Sequence, residues 1–237
     1  MDAKRILSFL KAVMANNNRP WFQEHKTEYE AVKAEWEQGI GQALERIISF
    51  DPSVGNQRVK DCTYRFYRDT RFSADKSPYK NHFGAYINAH GKKALRGGYY
   101  IHMEPDHCLL AVGNYWLPTN ILTSCRNEIM ANEEEWLRAV ENKNFKHYFG
   151  SSKETGTWEE MWDSPQGFGL TKLKTCPVGF PRDYAYVKYL RLKDYCAWHH
   201  VPDDFFEGDG WLDEMEKILR TAKPMMDFVN NVIDDYE

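Results

Sequence analysis

The chain has 237 residues, 42% hydrophobic and 28% charged, with a formal net charge of −4 at pH 7. A chain of this length and balance buries a core of its own without staples, which excludes a disordered or fibrous polymer. No run approaches 18 apolar residues, so no transmembrane helix is expected, and the net acidity excludes a globally basic nucleic-acid binder.

In chain order, Ile6, Phe9, Leu10, Val13 and Met14 recur at helical spacing, and Lys11 interrupts the apolar run that a signal peptide needs. A second, longer helix is expected from about Pro20 to Ile48. Asn18 offers its cap, and Tyr29, Val32, Trp36, Ile40, Leu44 and Ile47 form its apolar stripe. The stripe Trp21, Tyr29, Trp36 reads as core packing. After the turn DPSVGN, aromatic and β-branched residues predict strands at Cys62–Arg68, His82–Asn88, Gly98–Glu104 and Cys108–Trp116. Pro105, Asp106 and His107 make a hairpin connection between the last two.

Helical spacing returns after Pro118 through Ile121, Leu122, Cys125 and Ile129, and again around Trp136, Leu137 and Val140. Residues 150–181 mix turn formers with Trp158, Met161, Trp162 and Phe168, the pattern of an ordered excursion. Tyr189–Trp198 reads as one more strand. Trp211, Met215, Ile218, Leu219, Ala222, Met225 and Val229 form a closing helix, with Pro224 marking a kink or restart. Helices, then directly connected strands, then helices predict an α+β fold. The expectation is a single domain over residues 1–237, with a mainly antiparallel sheet packed by long N-terminal and C-terminal helices. The cysteines Cys62, Cys108, Cys125, Cys176 and Cys196 are scattered and contain no C-x-x-C. They are expected to be reduced, in a cytoplasmic protein.

The densest polar signal runs from Arg65 to Lys80, with five Lys/Arg and two Asp in sixteen residues. Guanidinium groups bind carboxylates and phosphates through paired hydrogen bonds, so this segment is the candidate site for a small anionic ligand. Arg68, Arg71, Lys76 and Lys80 are expected to bind the anion, with Asp69 and Asp75 orienting them and Tyr79 beside them. The competing reading is a non-enzymatic interaction module in which the same Arg–Asp pairs clamp a loop to the sheet. Ser73–Ala74–Asp75–Lys76 satisfies S-x-x-K, but Pro78 and the strand-to-strand setting deny it the helix start that this chemistry needs. Acid–base work by Asp69 or Asp75 with Lys76, Tyr79 or His82 requires burial that sequence does not reveal. No catalytic residue and no cofactor is therefore assigned.

RFYRDTRFSADKSPYKNHFGAYI, over Arg65–Ile87, resembles the signature of the domain of unknown function family 2461. The resemblance extends to Asn17, Trp21, Phe22, Lys26 and Tyr29, to Gly98–Asp106, and to LKTCPVGFPRDYAYVKYLRLKDY at Leu173–Tyr195. It implies one domain spanning the chain, with its most polar motif at Arg68–Lys80, and it brings Lys26 into question as a neighbour of that loop. It implies no activity.

For metal binding, His102 and Glu104 are two apart and share a strand face, with His107 across the turn. Without H-E-x-x-H or a Cys/His spacing, a solvent-facing hairpin accounts for them and no metal is expected. His199 and His200 are adjacent, so a strand points them apart. Phe66, Tyr67, Phe72 and Tyr79 among the cations resemble a stacking surface for nucleic acid. However, eleven acidic against three basic residues beyond Val201 oppose a long polyanion. A small anion suits this balance better.

Overall fold

The first helix, α1 (Ala3–Ala15), starts where the Asp2 side chain accepts the Arg5 N–H at 2.9 Å, and it buries Ile6, Phe9, Leu10 and Val13. Met14 instead turns outward. A computed structural model of the chain describes residues 1–151 and 164–236. Trp158, Met161 and Trp162 lie outside the described residues.

The long helix expected from Pro20 to Ile48 is two helices. They are α2 (Arg19–Glu24), capped by the Asn18 carboxamide, and α3 (Lys26–Phe50). His25, at φ −103° and ψ 15°, separates them. Its backbone N–H and its ring Nδ1 both donate to the Trp21 carbonyl, at 3.1 and 2.8 Å, and its ring stacks on Trp21 at 4.0 Å. A side chain thus closes α2 from within a sequence whose apolar spacing runs straight on. The stripe Tyr29, Val32, Trp36, Ile40, Leu44, Ile47 is buried throughout, whereas Trp21 is half-buried.

The strand expected at Cys62–Arg68 is not a regular one. A helical turn, α4 (Val59–Cys62), leads into two isolated antiparallel bridges, Thr63 with Ala85 and Tyr67 with Tyr79. The regular strands are β1 (Phe83–Ile87), β2 (Gly98–Met103), β3 (Leu109–Asn114), β4 (Gln166–Phe168) and β5 (Tyr195–His200). They form an antiparallel sheet in the order β1-β2-β3-β5-β4, and the fold is α+β. Between β2 and β3, Asp106 takes φ 64°, and its N–H is held by Asp203 at 2.8 Å.

Contacts divide the chain into two compact units. The first comprises residues 1–92, 100–109 and 201–216, and its core is aromatic. Phe9, Phe22, Tyr29, Phe66, Tyr79 and Phe83 pack ring on ring, and Phe22 stacks on Tyr79 at 3.9 Å. The second comprises residues 93–99, 110–200 and 217–237. It holds α5 (Thr119–Ala131), α6 (Glu133–Val140) and α7 (Lys143–Phe149), packed around the buried Trp136, Tyr189 and Tyr195.

The strand expected at Tyr189–Trp198 divides into a helical turn, Val187–Leu190, and β5. Between them, the buried Asp194 carboxylate takes the N–H groups of Leu170 and Thr171 at 2.7 and 2.8 Å. β4 pairs with β5 in the register Gly167–Trp198, where the indole fills the space a Cβ on Gly167 would need. The closing helix, Trp211–Ile233, runs on through Pro224 without a restart, at the cost of one backbone donor.

Candidate functional site

The segment from Phe66 to Lys80 is an irregular ribbon whose ends are zipped and whose middle is a loop. Arg68 N–H donates to the Pro78 carbonyl and Lys80 N–H to the Phe66 carbonyl, both at 2.9 Å. Alternation then decides the environment of each side chain. Phe66 and Tyr79 turn into the aromatic core, Tyr67 is half in solvent, and Phe72 at the loop tip is 96% exposed. On the ribbon's other side, the Asn17 carboxamide donates to the Tyr79 carbonyl at 2.9 Å and accepts the Tyr79 N–H at 3.1 Å.

The charges of the loop are used within the loop. Arg68 Nη1 donates to Asp75, which also accepts the backbone N–H and the hydroxyl of Ser77, at 2.9 and 2.6 Å. Ser77 and Arg68 together hold the Asp75 carboxyl well below the usual carboxylate range. Arg71 forks onto Asp69 through Nε at 3.0 Å and Nη2 at 2.7 Å, and this lowers the Asp69 pKa. Lys76 donates to the Thr70 carbonyl at 2.9 Å. Arg68, Asp69, Arg71, Asp75 and Lys76 therefore come together, but onto one another. Tyr79 packs in the core, and Lys26 is exposed, with no ion pair among the described residues.

Lys80 differs. Among the described residues its ammonium meets no carboxylate; it lies over the Tyr64 ring, 5.3 Å from the centroid. Lys92 approaches the same ring at 5.4 Å while donating to the Thr63 carbonyl at 2.5 Å. Burial, and then the charges of Arg65 and Lys92, push the Lys80 pKa down. Two lysines thus flank one half-exposed tyrosine, with Arg65 close enough to be felt. Lys92 and Tyr64 were missed in the sequence because they lie outside the continuous motif. The signal that points to them is the bridge Thr63–Ala85, which brings Tyr64 alongside β1.

A second cluster lies in the same compact unit. His82, His102 and Glu104 bring one potential donor atom each within 4.8 Å of one another. His102 and Glu104 share a face of the β2 strand and its end, as the alternation requires, but that face is buried: His102 is 1% exposed. These two residues therefore do not face solvent as the hairpin reading expected, since both lie buried on a covered face of the sheet. His82, at the start of β1, takes the third position that the sequence reading gave to His107.

His102 Nε2 lies 2.9 Å from Glu104 Oε2, and the Tyr100 hydroxyl lies 2.8 Å from His102 Nδ1. Asn81 links the other two, donating through its amide nitrogen to Glu104 Oε1 and accepting from His82 Nδ1 at 2.9 Å. Burial, and then the neighbouring His102, push the His82 pKa down to about 3, so its imidazole is neutral at physiological pH. Burial pushes the Tyr100 pKa up, which keeps its hydroxyl protonated. Gly84 on β1 makes room for Tyr100, since a Cβ there would sit 2.8 Å from the Tyr100 hydroxyl oxygen.

A family model described as a conserved hypothetical protein (DUF2461) matches residues 5–228. No curated protein and no solved structure matches the chain.

Proposed function

We propose, from the premise that the chain belongs to the DUF2461 family of conserved hypothetical proteins, that it binds a small phosphate- or carboxylate-bearing anion at the basic face around Tyr64. The observation that carries this reading is Lys80, half-buried among Lys92 and Arg65 with its pKa depressed. Such a group is at higher free energy than a solvated lysine, and a bound anion converts its neighbours' repulsion into shared attraction. In this reading Arg68, Asp69, Arg71, Asp75 and Lys76 hold the loop in shape, and Lys80 with Lys92 takes the anion.

One observation favours the alternative of a protein-interaction module with the motif as its clamp. Phe72 stands 96% exposed at the tip of a loop whose arginines are paired. An aromatic in that position is the kind of side chain a protein partner covers.

Thermal unfolding in inorganic phosphate, against sodium chloride at equal ionic strength, separates the two. A hundredfold excess over Kd is expected to raise Tm by about 5–10 °C. Lys80→Ala with Lys92→Ala removes the rise and moves the unliganded Tm by no more than about 2 °C. Arg68→Ala instead lowers the unliganded Tm and keeps the rise. If neither phosphate nor a dicarboxylate shifts Tm, the anion reading fails. Loss of partner capture on Phe72→Ser then supports the module.

A further inference from the structure

We propose that His82, His102 and Glu104 form a binding site for one divalent transition-metal ion of the zinc class. Two imidazoles and a carboxylate are the donors of an open zinc or iron site, which supplies three protein ligands and leaves a position for water. The three donor atoms already lie within 4.8 Å of one another. Around a tetrahedral ion, neighbouring donors are about 3.3 Å apart, so the cluster has at most roughly 1.5 Å to close. His102 Nε2 and Glu104 Oε2, at 2.9 Å, need only open slightly to admit the ion.

The surroundings argue for a metal more strongly than the three donors do. With His82 Nε2, His102 Nε2 and Glu104 Oε2 taken as the ligating atoms, the other polar atom of each residue is held. Asn81 accepts from His82 Nδ1, Tyr100 engages His102 Nδ1, and Asn81 donates to Glu104 Oε1. Holding the far atom of a ligand fixes ring orientation and tautomer, which is the work that outer residues do in metal sites. For His82 the consequence is specific. Its Nδ1 proton is committed to Asn81, so the lone pair is on Nε2, which has no hydrogen-bond partner among the described residues.

Charge points the same way. Glu104 is a buried carboxylate, and a dication compensates a buried negative charge more fully than a hydrogen-bond donor does. Binding displaces the Nε2 proton of His102 to solvent, and the ion takes its place between His102 and Glu104. His82 is only partly covered, which gives the ion and its water a route in. The proposal does not use the anion reading for its ligands, although Lys80 and Arg68 lie near enough to His82 for their charges to act on it.

The test is zinc titration of the chelator-stripped full-length chain by calorimetry, with cobalt(II) as a spectroscopic probe. One zinc per chain is expected, with Kd in the micromolar range or below. His82→Gln and Glu104→Gln are each expected to weaken binding by at least about 100-fold, and Asn81→Ala by about 10–100-fold. The visible cobalt absorption of a four- or five-coordinate site is expected in the parent chain and lost in His82→Gln. Circular dichroism shows which variants remain folded, and His82→Gln, the more exposed substitution, keeps the test open should Glu104→Gln unfold. A parent chain that takes up no zinc below about 100 µM overturns the proposal. So does a folded His82→Gln chain that binds zinc as tightly as the parent.

Discussion

Gly113 is the residue on which β3 has least freedom. Its φ is 108°, and a Cβ there would sit 2.1 Å from the Tyr195 carbonyl oxygen on β5. Any L side chain meets both a disfavoured backbone conformation and a neighbouring strand's backbone, neither of which can relax by rotating a side chain. Gly113→Ala is expected to lower the unfolding free energy by at least about 2 kcal/mol in urea denaturation. A loss below about 0.5 kcal/mol contradicts the close approach. At this scale the sequence was legible where pattern alone decides. Alternation put His102 and Glu104 on one strand face. It could not say which face is covered, because that depends on which elements pack over the sheet. His82 was out of reach as their partner, twenty residues upstream and joined to them only by strand pairing.

Among the elements, the ends of α6 and α7 meet at one carboxylate. Burial alone would raise the Glu141 pKa, but hydrogen bonds from Lys146, Lys188 and Tyr189 prevail and hold it at about 2. The ion pairs are short, 2.5 Å to Lys146 and 2.6 Å to Lys188. A folded pKa below the unfolded one binds fewer protons in the native state. Its stabilisation is therefore complete above about pH 4.5 and is lost as pH falls toward 2. Glu141→Gln is expected to cost about 1–3 kcal/mol at pH 7 and to flatten the acid limb between pH 4.5 and 2 in guanidinium unfolding. An unchanged acid limb refutes the junction.

Element types were legible where the apolar period is long, as in α1, α3 and the closing helix. Boundaries were lost where one polar side chain intervenes. His25 ends α2 inside a continuous stripe, and Asp194 turns the chain between a helical turn and β5. The aromatic run after Cys62 reads as a strand because its side chains do alternate, but the loop that follows leaves it little to pair with.

For the whole molecule, the α+β class and the family were readable, since both rest on features spread along the chain. The two compact units were not. Each is assembled from three separate stretches, so no linker composition marks a boundary. Thiol chemistry probes the molecule as a whole. Burial of the thiol pushes Cys62 to about 11, Cys108 and Cys125 to about 12, and Cys196 higher still, even though Cys196, like Cys176, is half-buried as a whole residue. Ellman's reagent is expected to titrate one thiol quickly in the native chain and five in guanidinium. A second fast native thiol contradicts the burial.

Asn17 has a consequence for how the protein behaves in a crowd. The bridge between Tyr67 and Tyr79 uses the amides of Arg68 and Lys80, which leaves the N–H and C=O of Tyr79 facing the other way. Exposed backbone groups of that kind are a template on which a strand of another molecule can add. The Asn17 carboxamide has the same donor and acceptor as a peptide and occupies both positions. One side chain, 62 residues distant in sequence, thus stands in for the next strand and denies this ribbon to intermolecular β-pairing.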